Sequence, residues 1–406
     1  MSYHLFEVFG IELEYMLVNN SSLKVAPIID KLILAKTGEI TSDVDNGKIE
    51  WSNELVAHVV ELKTNGPTSD LEFLDELFAE NITEINKLLI PLNATLWPTA
   101  SHPLMQPDKE MKLWQHSYSK IYALYNRIFD CRGHGWSNVQ SMHLNLPFYD
   151  DVEFEKLHAA IRILLPIIPA LSASSPVFEG KLTGYLDSRM QEYITNQKEI
   201  PQMTGKVIPE KVFTRQSYHE EIFEPINLAI KPFDTENILD HHFLNSRGAI
   251  ARFDRNAIEV RVIDLQESPK ADVAIAVLII EVLKLLVSEE LVSLEDQKAW
   301  HEDDLFYIFN QVIKDAENTH INNKLFIDIF DCEGVNTAGG IWERLYERVK
   351  EAVSEKHKET IEFILNNGSL ASRILAAVND DFSEENLHKV YIELGLCLAQ
   401  NKLFKP

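Results

Sequence analysis

The sequence predicts an α+β fold in which helices pack on one face of a largely antiparallel sheet. Three observations carry this reading. Segments with period-two alternation cluster in the first two thirds of the 406 residues. Helical periodicity fills most of the stretch from about 269 to 400. Several of the predicted strands pair an apolar face with a face of acids, His or Arg, which suits a sheet with helices on one side and a polar cavity on the other.

Taken in order, residues 5–18 alternate and read as a strand, and 54–63 as another, ended by Asn65-Gly66-Pro67. Thr68 or Ser69 then caps a helix to about Leu89, with Leu71, Leu74, Leu77, Phe78, Ile82 and Ile85 on one stripe. A strand is predicted over 92–99, a helix over 109–130, a short strand from Ser141 to Pro147 and a helix near 151–171. Residues 249–253 and 258–264 form a hairpin around Asp254-Arg255-Asn256. The most apolar stretch, 273–287, is interrupted by Glu281 and Lys284. It falls short of the roughly 20 apolar residues of a membrane span and reads as a buried helix. No repeat or long linker divides the chain. A single domain over 1–406 is expected, with a sheet-forming part about 5–265 and a helical part about 269–400.

Composition narrows the function. Against 38 basic residues stand 63 acidic ones, a formal charge of −25, with 45% apolar and 25% charged residues as in an ordinary globular protein. The acid excess excludes a general nucleic-acid binder, because such binding is largely neutralisation of phosphate by Lys and Arg. An anionic ligand must be held by a local cluster of cations, Arg or metal. Cys131, Cys332 and Cys397 lie far apart without a C-x-x-C pair and read as reduced thiols. Residues 1–9 carry Glu7 and no basic n-region, so a signal peptide is not expected and a cytoplasmic location is.

The chemistry lies on the strands. In Gly10-Ile-Glu-Leu-Glu-Tyr15, Ile11, Leu13 and Tyr15 face one way and Glu12 and Glu14 the other. Two such carboxylates stand about 6.5–7 Å apart along a strand. That is either a solvated face or oxygen ligands for a hard cation. The pattern recurs in Glu54-Leu-Val-Ala-His-Val-Val-Glu61-Leu-Lys-Thr64, where Glu61 interrupts an apolar strand and needs a cation to offset burial. In Ser141-Met-His-Leu-Asn-Leu-Pro147, His143 and Asn145 oppose Met142, Leu144 and Leu146. In Ala257-Ile-Glu-Val-Arg-Val-Ile-Asp264, Glu259 and Arg261 oppose Ile258, Val260 and Val262. His241-His242 lacks a helical metal spacing and reads as surface or capping, Glu289-Glu290 and Glu384-Glu385 as solvated helix ends, and Gly339-Gly340 as a loop. P-loop, Rossmann and G-x-S-x-G signatures are absent from the sequence.

Leu171-Ser-Ala-Ser-Ser-Pro-Val-Phe-Glu-Gly180, continued by Lys181-Leu-Thr-Gly-Tyr-Leu-Asp-Ser-Arg189, resembles the family 2 glutamate–cysteine ligases, or carboxylate–amine ligases. Their "LSASSP" loop is followed by "TGY" and an "SR" ending. The strands carrying Glu12 and Glu14, Glu54 to Thr64, His143, and Glu259 with Arg261 resemble the other blocks in the same order, over about residues 5–290. The resemblance implies a glutamine-synthetase-like catalytic fold whose curved sheet holds Mg²⁺ (or Mn²⁺) and ATP. It implies that ATP phosphorylates a carboxylate, usually the side chain of glutamate, and that an amine such as cysteine displaces the phosphate. It implies one metal site from Glu14, Glu54 and Glu61, and another from Glu12, His143 and Glu259. Arg261 would meet the transferring phosphoryl group, and Arg252 and Arg189 would anchor phosphate or a substrate carboxylate. The partners implied are amino-acid substrates, with no nucleic acid or membrane, and a homodimer is left open. Around His143 the chain reads Val139-Gln-Ser-Met-His-Leu, where many members carry a G-x-H-V-H pattern, so the identity of the amine stays open. A metal-dependent hydrolase or nuclease using the same carboxylates, and a non-catalytic descendant, are the alternatives.

Overall fold

The computed structural model of the chain describes residues 3–406 apart from the side chains at positions 241 and 242, so the His241-His242 pair lies outside the described residues. The strands are β1 (Gly10–Asn19), β2 (Asp43–Asn46), β3 (Ile49–Asn53), β4 (Val59–Thr64), β5 (Ala94–Trp97), β6 (Ser141–Pro147), β7 (Val177–Phe178), β8 (Lys181–Leu182), β9 (Ala249–Arg252) and β10 (Ala257–Asp264). One eight-stranded sheet runs β2-β3-β4-β1-β6-β10-β9, and β5 pairs with the C-terminal half of β1. All its pairs are antiparallel. The small β7–β8 hairpin stands apart.

One face of this sheet is core. Ile11, Leu13, Tyr15 and Leu17 of β1 are buried with Trp51, Leu62, Met142, Leu144 and Ile258 from its neighbours. Helices Leu74–Leu89 and Pro269–Val287 contribute Phe78, Ile82, Ile85, Ile275 and Ile279 to the same cluster. The second helix packs against Leu74–Leu89, Asp151–Leu164, Ala338–Val349 and Glu355–Asn367, which is why its sequence is apolar nearly all round. Among the described residues no helix is long and apolar enough to cross a membrane. The last two helices, Leu370–Val378 and Glu384–Gln400, reach the other face at the β5 end. There Ile374, Leu387 and Leu394 cover Met16, Val18 and Trp97. Polar chemistry is thereby confined to the remainder of that face.

Several predicted boundaries move, each for a tertiary reason. The first strand starts at Gly10, because residues 4–7 turn on a Glu7 N–H to His4 carbonyl bond of 3.2 Å. The next helix starts at Leu74 and is not capped by Thr68 or Ser69. Thr68 is drawn into backbone pairing with Phe9, at 2.7 and 2.9 Å. Strand β4 begins at Val59, leaving 54–58 as a loop. The helix expected over 109–130 is broken into Pro107–Glu110 and Ser119–Phe129. Between them the chain is extended, and its Lys112 carbonyl and Trp114 N–H pair with Ala57 and Leu55 at 2.8 and 3.0 Å. Gly339-Gly340 is no loop: both lie in the first turn of helix Ala338–Val349, where Gly340 N–H bonds the capping Thr337 hydroxyl at 3.1 Å. Glu289-Glu290 and Glu384-Glu385 are exposed at helix ends, as expected.

Candidate active site

Register assembles the site. On the face opposite the core, Ser52, Glu61 and Glu14 stand directly across from one another on β3, β4 and β1. A second row runs Glu50, Lys63, Glu12 and His143 across β3, β4, β1 and β6. A third begins Gly10, Asn145, Glu259 on β1, β6 and β10. Side chains alternate along each strand, so antiparallel pairing of these segments puts every acid on one surface. Gly10 lets the rows close up: a Cβ there would lie 3.1 Å from that of Asn145.

In β10 the alternation breaks. Val260 pairs with Leu144, but Ile263 pairs with Met142, so Arg261 and Val262 together oppose His143. This is a β-bulge. Ile263 takes the place opposite Met142 that strict alternation gives to Val262, which is buried and lies beside Gly248.

The surface lines a cavity of ≈ 1340 Å³. Glu12, Glu14, Glu54, Glu61, His143, Glu259, Arg261 and Arg252 all reach it, from β1, β4, β6, β9, β10 and the 54–58 loop. His143 sits at the centre. Its Nδ1 is 3.1 Å from Glu12 and 3.6 Å from Glu259, and its Nε2 is 2.9 Å from Ser141 Oγ and 3.8 Å from Glu14. Glu14 also accepts the Ser141 N–H and hydroxyl at 2.7 and 2.8 Å. Glu12 accepts from Asn145 at 3.0 Å, and Glu61 from Ser52 at 2.7 Å. Burial and the Arg261 charge lower the His143 pKa, but Glu12, Glu14 and Glu259 outweigh them and raise it. Burial pushes the Glu12 carboxyl up, yet the hydrogen bond with His143 and its charge bring it below the usual value.

Among the described residues, two triads have ligand atoms that all lie within 4.8 Å of one another: Glu12, His143 and Glu259, and Glu14, Glu61 and His143. The first is the set the sequence grouped. In the second, His143 stands where Glu54 was expected, and Glu54 lines the adjoining wall from its loop. Glu54 tests whether a cation fits here. Burial, then repulsion from Glu61 and Glu14, holds its carboxyl well above the ordinary range. No donor to it is found among the described residues, whereas Glu12, Glu14 and Glu61 each have one. An oxygen-rich set with one imidazole and an uncompensated carboxyl is a fitting donor set for a hard divalent ion.

The cations divide by role. Arg261 Nε is 3.0 Å from Glu259 Oε1, yet among the described residues this buried N–H has no aligned hydrogen-bond acceptor. Arg252 lies 3.7 Å from Glu259 and pairs with Asp254 at 3.2 Å. Arg189 borders the cavity but is only 2% exposed, with its guanidinium held by Asp264 and the Arg261 carbonyl. Sequence reasoning missed Lys63, which lies 3.1 Å from Glu61 and 3.2 Å from Glu50. Its signal was its place two residues after Glu61, on the same strand face. It also missed the β2–β3 hairpin that carries Glu50 and Ser52, although Asn46-Gly47 is a strong hairpin turn. Tyr118, Tyr122 and Tyr125, from helix Ser119–Phe129 and the residue before it, wall the cavity beside Glu54.

A sequence profile described as glutamate-cysteine ligase family 2 matches residues 8–392. The chain belongs to this family. Membership places it among ligases that form carbon–nitrogen bonds. It is 29% identical over 403 residues to an uncharacterized protein of Archaeoglobus fulgidus, covering 98% of this chain and 100% of that one. A putative glutamate–cysteine ligase 2 of Bradyrhizobium diazoefficiens is 27% identical over 217 residues, which span 53% of this chain and 46% of that protein. In solved structures the same fold recurs in a bifunctional glutathione synthetase from Pasteurella multocida, with a TM-score of 0.64 at 13% identity over 98% of this chain and 53% of that one. It recurs in a glutamate–cysteine ligase from Francisella tularensis in complex with AMP, with a TM-score of 0.54 at 13% identity over 97% and 93%.

Proposed function

We propose that this chain is an ATP-dependent carboxylate–amine ligase: it activates a carboxylate, that of the glutamate side chain, by phosphorylation and joins it to an amine such as cysteine. The observation that carries the reading is the pairing of the acid–imidazole cluster with Arg261, a buried donor without an aligned acceptor, on one wall of one cavity. Anionic oxygens need such donors, and acids alone repel them.

Glu12, His143 and Glu259 would hold one Mg²⁺ or Mn²⁺, and Glu14 with Glu61, flanked by Glu54, another. Bound there, such ions neutralise a triphosphate and the charge that develops as the phosphoryl group leaves. Arg261 meets the transferring oxygens, and Arg252, 3.7 Å from Glu259 in the same cavity, steadies the remaining phosphates. His143 is held between Glu12 and Glu14, so its ring orientation is fixed before any ligand arrives. Glu54, outside both triads, lines the cavity with Tyr118 and Tyr122, and on this reading the amine approaches along that wall. On this reading the substrates are small amino acids, for which a cavity of ≈ 1340 Å³ has room, and the acid lining disfavours nucleic acid.

Family membership favours this reading over the hydrolase that the same carboxylates would serve. The test is ADP release from Mg·ATP across a panel of amino-acid donors and amine acceptors. The proposal expects release that requires one carboxylate and one amine together. Phosphodiester or peptide cleavage without nucleotide would refute it.

A further inference from the structure

Residues 171–189 carry the most specific motif of the sequence but contribute no acid to the cavity. They close instead around the end of β10. The Arg189 N–H donates to Ser175 Oγ at 3.0 Å, its Nη1 lies 3.2 Å from Asp264 Oδ1, and its Nη2 donates to the Arg261 carbonyl at 2.7 Å. Asp264 is fully buried and accepts the Ser174 N–H and the Ser175 hydroxyl, both at 2.9 Å.

Arg261 sits in the bulge, where the ladder with β6 is interrupted, so its peptide groups need partners elsewhere. Its N–H goes to the Gly248 carbonyl at 2.8 Å and its carbonyl to Arg189. Gly248 leaves no freedom on its side: a Cβ there would lie 2.6 Å from Val262 Cγ1 and 3.2 Å from the Val207 carbonyl. Both ends of the Arg261 residue are therefore gripped from outside the β6–β10 ladder.

We infer that Arg189 is a positioning residue: its guanidinium bridges Asp264 and the Arg261 carbonyl, and so fixes the direction in which the bulge aims Arg261 into the cavity. This rests on the ligase reading of that cavity. The planar fork holds both acceptors, one charged and one neutral, in a fixed geometry that the point charge of an ammonium does not reproduce. The third member of the group, Asp187, caps helix Ser188–Tyr193 by accepting the Met190 N–H at 2.8 Å. Burial, then the Asp264 charge, pushes the Asp187 carboxyl well above the usual range, and the Arg189 guanidinium is paired with Asp264.

Arg189→Lys keeps a charge beside Asp264 but loses the fork. Hydrogen–deuterium exchange on the full chain without substrate is the first readout. Exchange in peptides covering 257–264 is expected to rise at least about 5-fold, with β1 and β4 unchanged, because the opening is local. The second readout is steady-state ADP release. The expected result is a kcat at least about 10-fold lower, with KM for ATP and for the carboxylate donor within about 3-fold, since binding surfaces are intact. Asp264→Asn should reproduce both results, and it carries the test if Arg189→Lys does not fold. Unchanged exchange over 257–264 overturns the inference. So does a KM for one substrate raised about 10-fold at constant kcat, the signature of a direct anchor. If the unmodified chain releases no ADP with any donor, the ligase reading fails and the exchange result alone decides the positioning role.

Discussion

Replacing Glu54 by Gln should stabilise the metal-free protein while weakening its hold on metal. The side chain keeps its volume and loses a charge that burial and the neighbouring Glu61 and Glu14 oppose. The scale of such repulsion follows from the cluster: Glu14 and Glu61 have ligand oxygens within 4.8 Å. Unit charges at that spacing repel by about 3.5 kcal/mol at an effective dielectric of about 20, an upper bound for Glu54, which lies outside that set. Lys63, 3.1 Å from Glu61, offsets part of this, so the expected gain for Glu54→Gln at pH 7.5 is about 1–2 kcal/mol. The pH sign is specific. A carboxyl whose folded pKa is raised keeps its full contribution to stability below the unfolded value and loses it as pH rises through the folded value. The advantage of Gln should therefore vanish near pH 4 and grow above about pH 4.5. Chemical unfolding of both proteins in EDTA across pH 4–8, repeated with Mn²⁺, measures it. A Gln variant less stable than its parent at pH 7.5 in EDTA, or equally stabilised by Mn²⁺, would show that Glu54 is not an uncompensated charge awaiting a metal.

Glu259→Gln should leave the fold intact and lower turnover about 10²–10³-fold, as expected for loss of one preorganised electrostatic contact. Turnover within a few-fold of the parent would make Glu259 structural. Arg261→Lys should keep metal binding, followed by Mn²⁺ titration, but slow ADP release at least about 10-fold, equivalent to ~1.4 kcal/mol. An unchanged rate would reduce Arg261 to the ion pair it makes with Glu259. Acid should destabilise the chain through His58 and His102, which burial lowers to about 4 each. The unfolded chain binds their protons first, so their cost appears as pH falls below about 6.5 and is complete below about 4. His102→Gln should flatten the unfolding midpoint over that window, and an unaltered slope would contradict the assignment.

Much of the site was legible because strand periodicity is simple. Glu12, Glu14, His143 and Glu259 alternate with core residues, and antiparallel pairing then needs only the correct order of strands to bring them together. What escaped the sequence depended on contacts between distant segments. Glu54 left its strand because 112–114 pairs with the loop that holds it. The helix expected over 109–130 broke for the same reason. The bulge at Arg261 is invisible to alternation, since Val262 is as apolar as a regular strand requires. Arg189 read as a phosphate anchor because a lone arginine in a polar motif gives no sign of its partner 75 positions on. The Asn46-Gly47 hairpin, by contrast, was fully readable and was overlooked.

On the ligase reading, the carboxylate is activated as an acyl phosphate within this cavity. The most direct measurement uses glutamate labelled with ¹⁸O in its side-chain carboxylate, Mg·ATP and the amine that the ADP-release panel returns. Transfer through an acyl phosphate predicts one ¹⁸O atom in each inorganic phosphate released, in step with amide formed. Phosphate carrying oxygen from water alone would contradict the account.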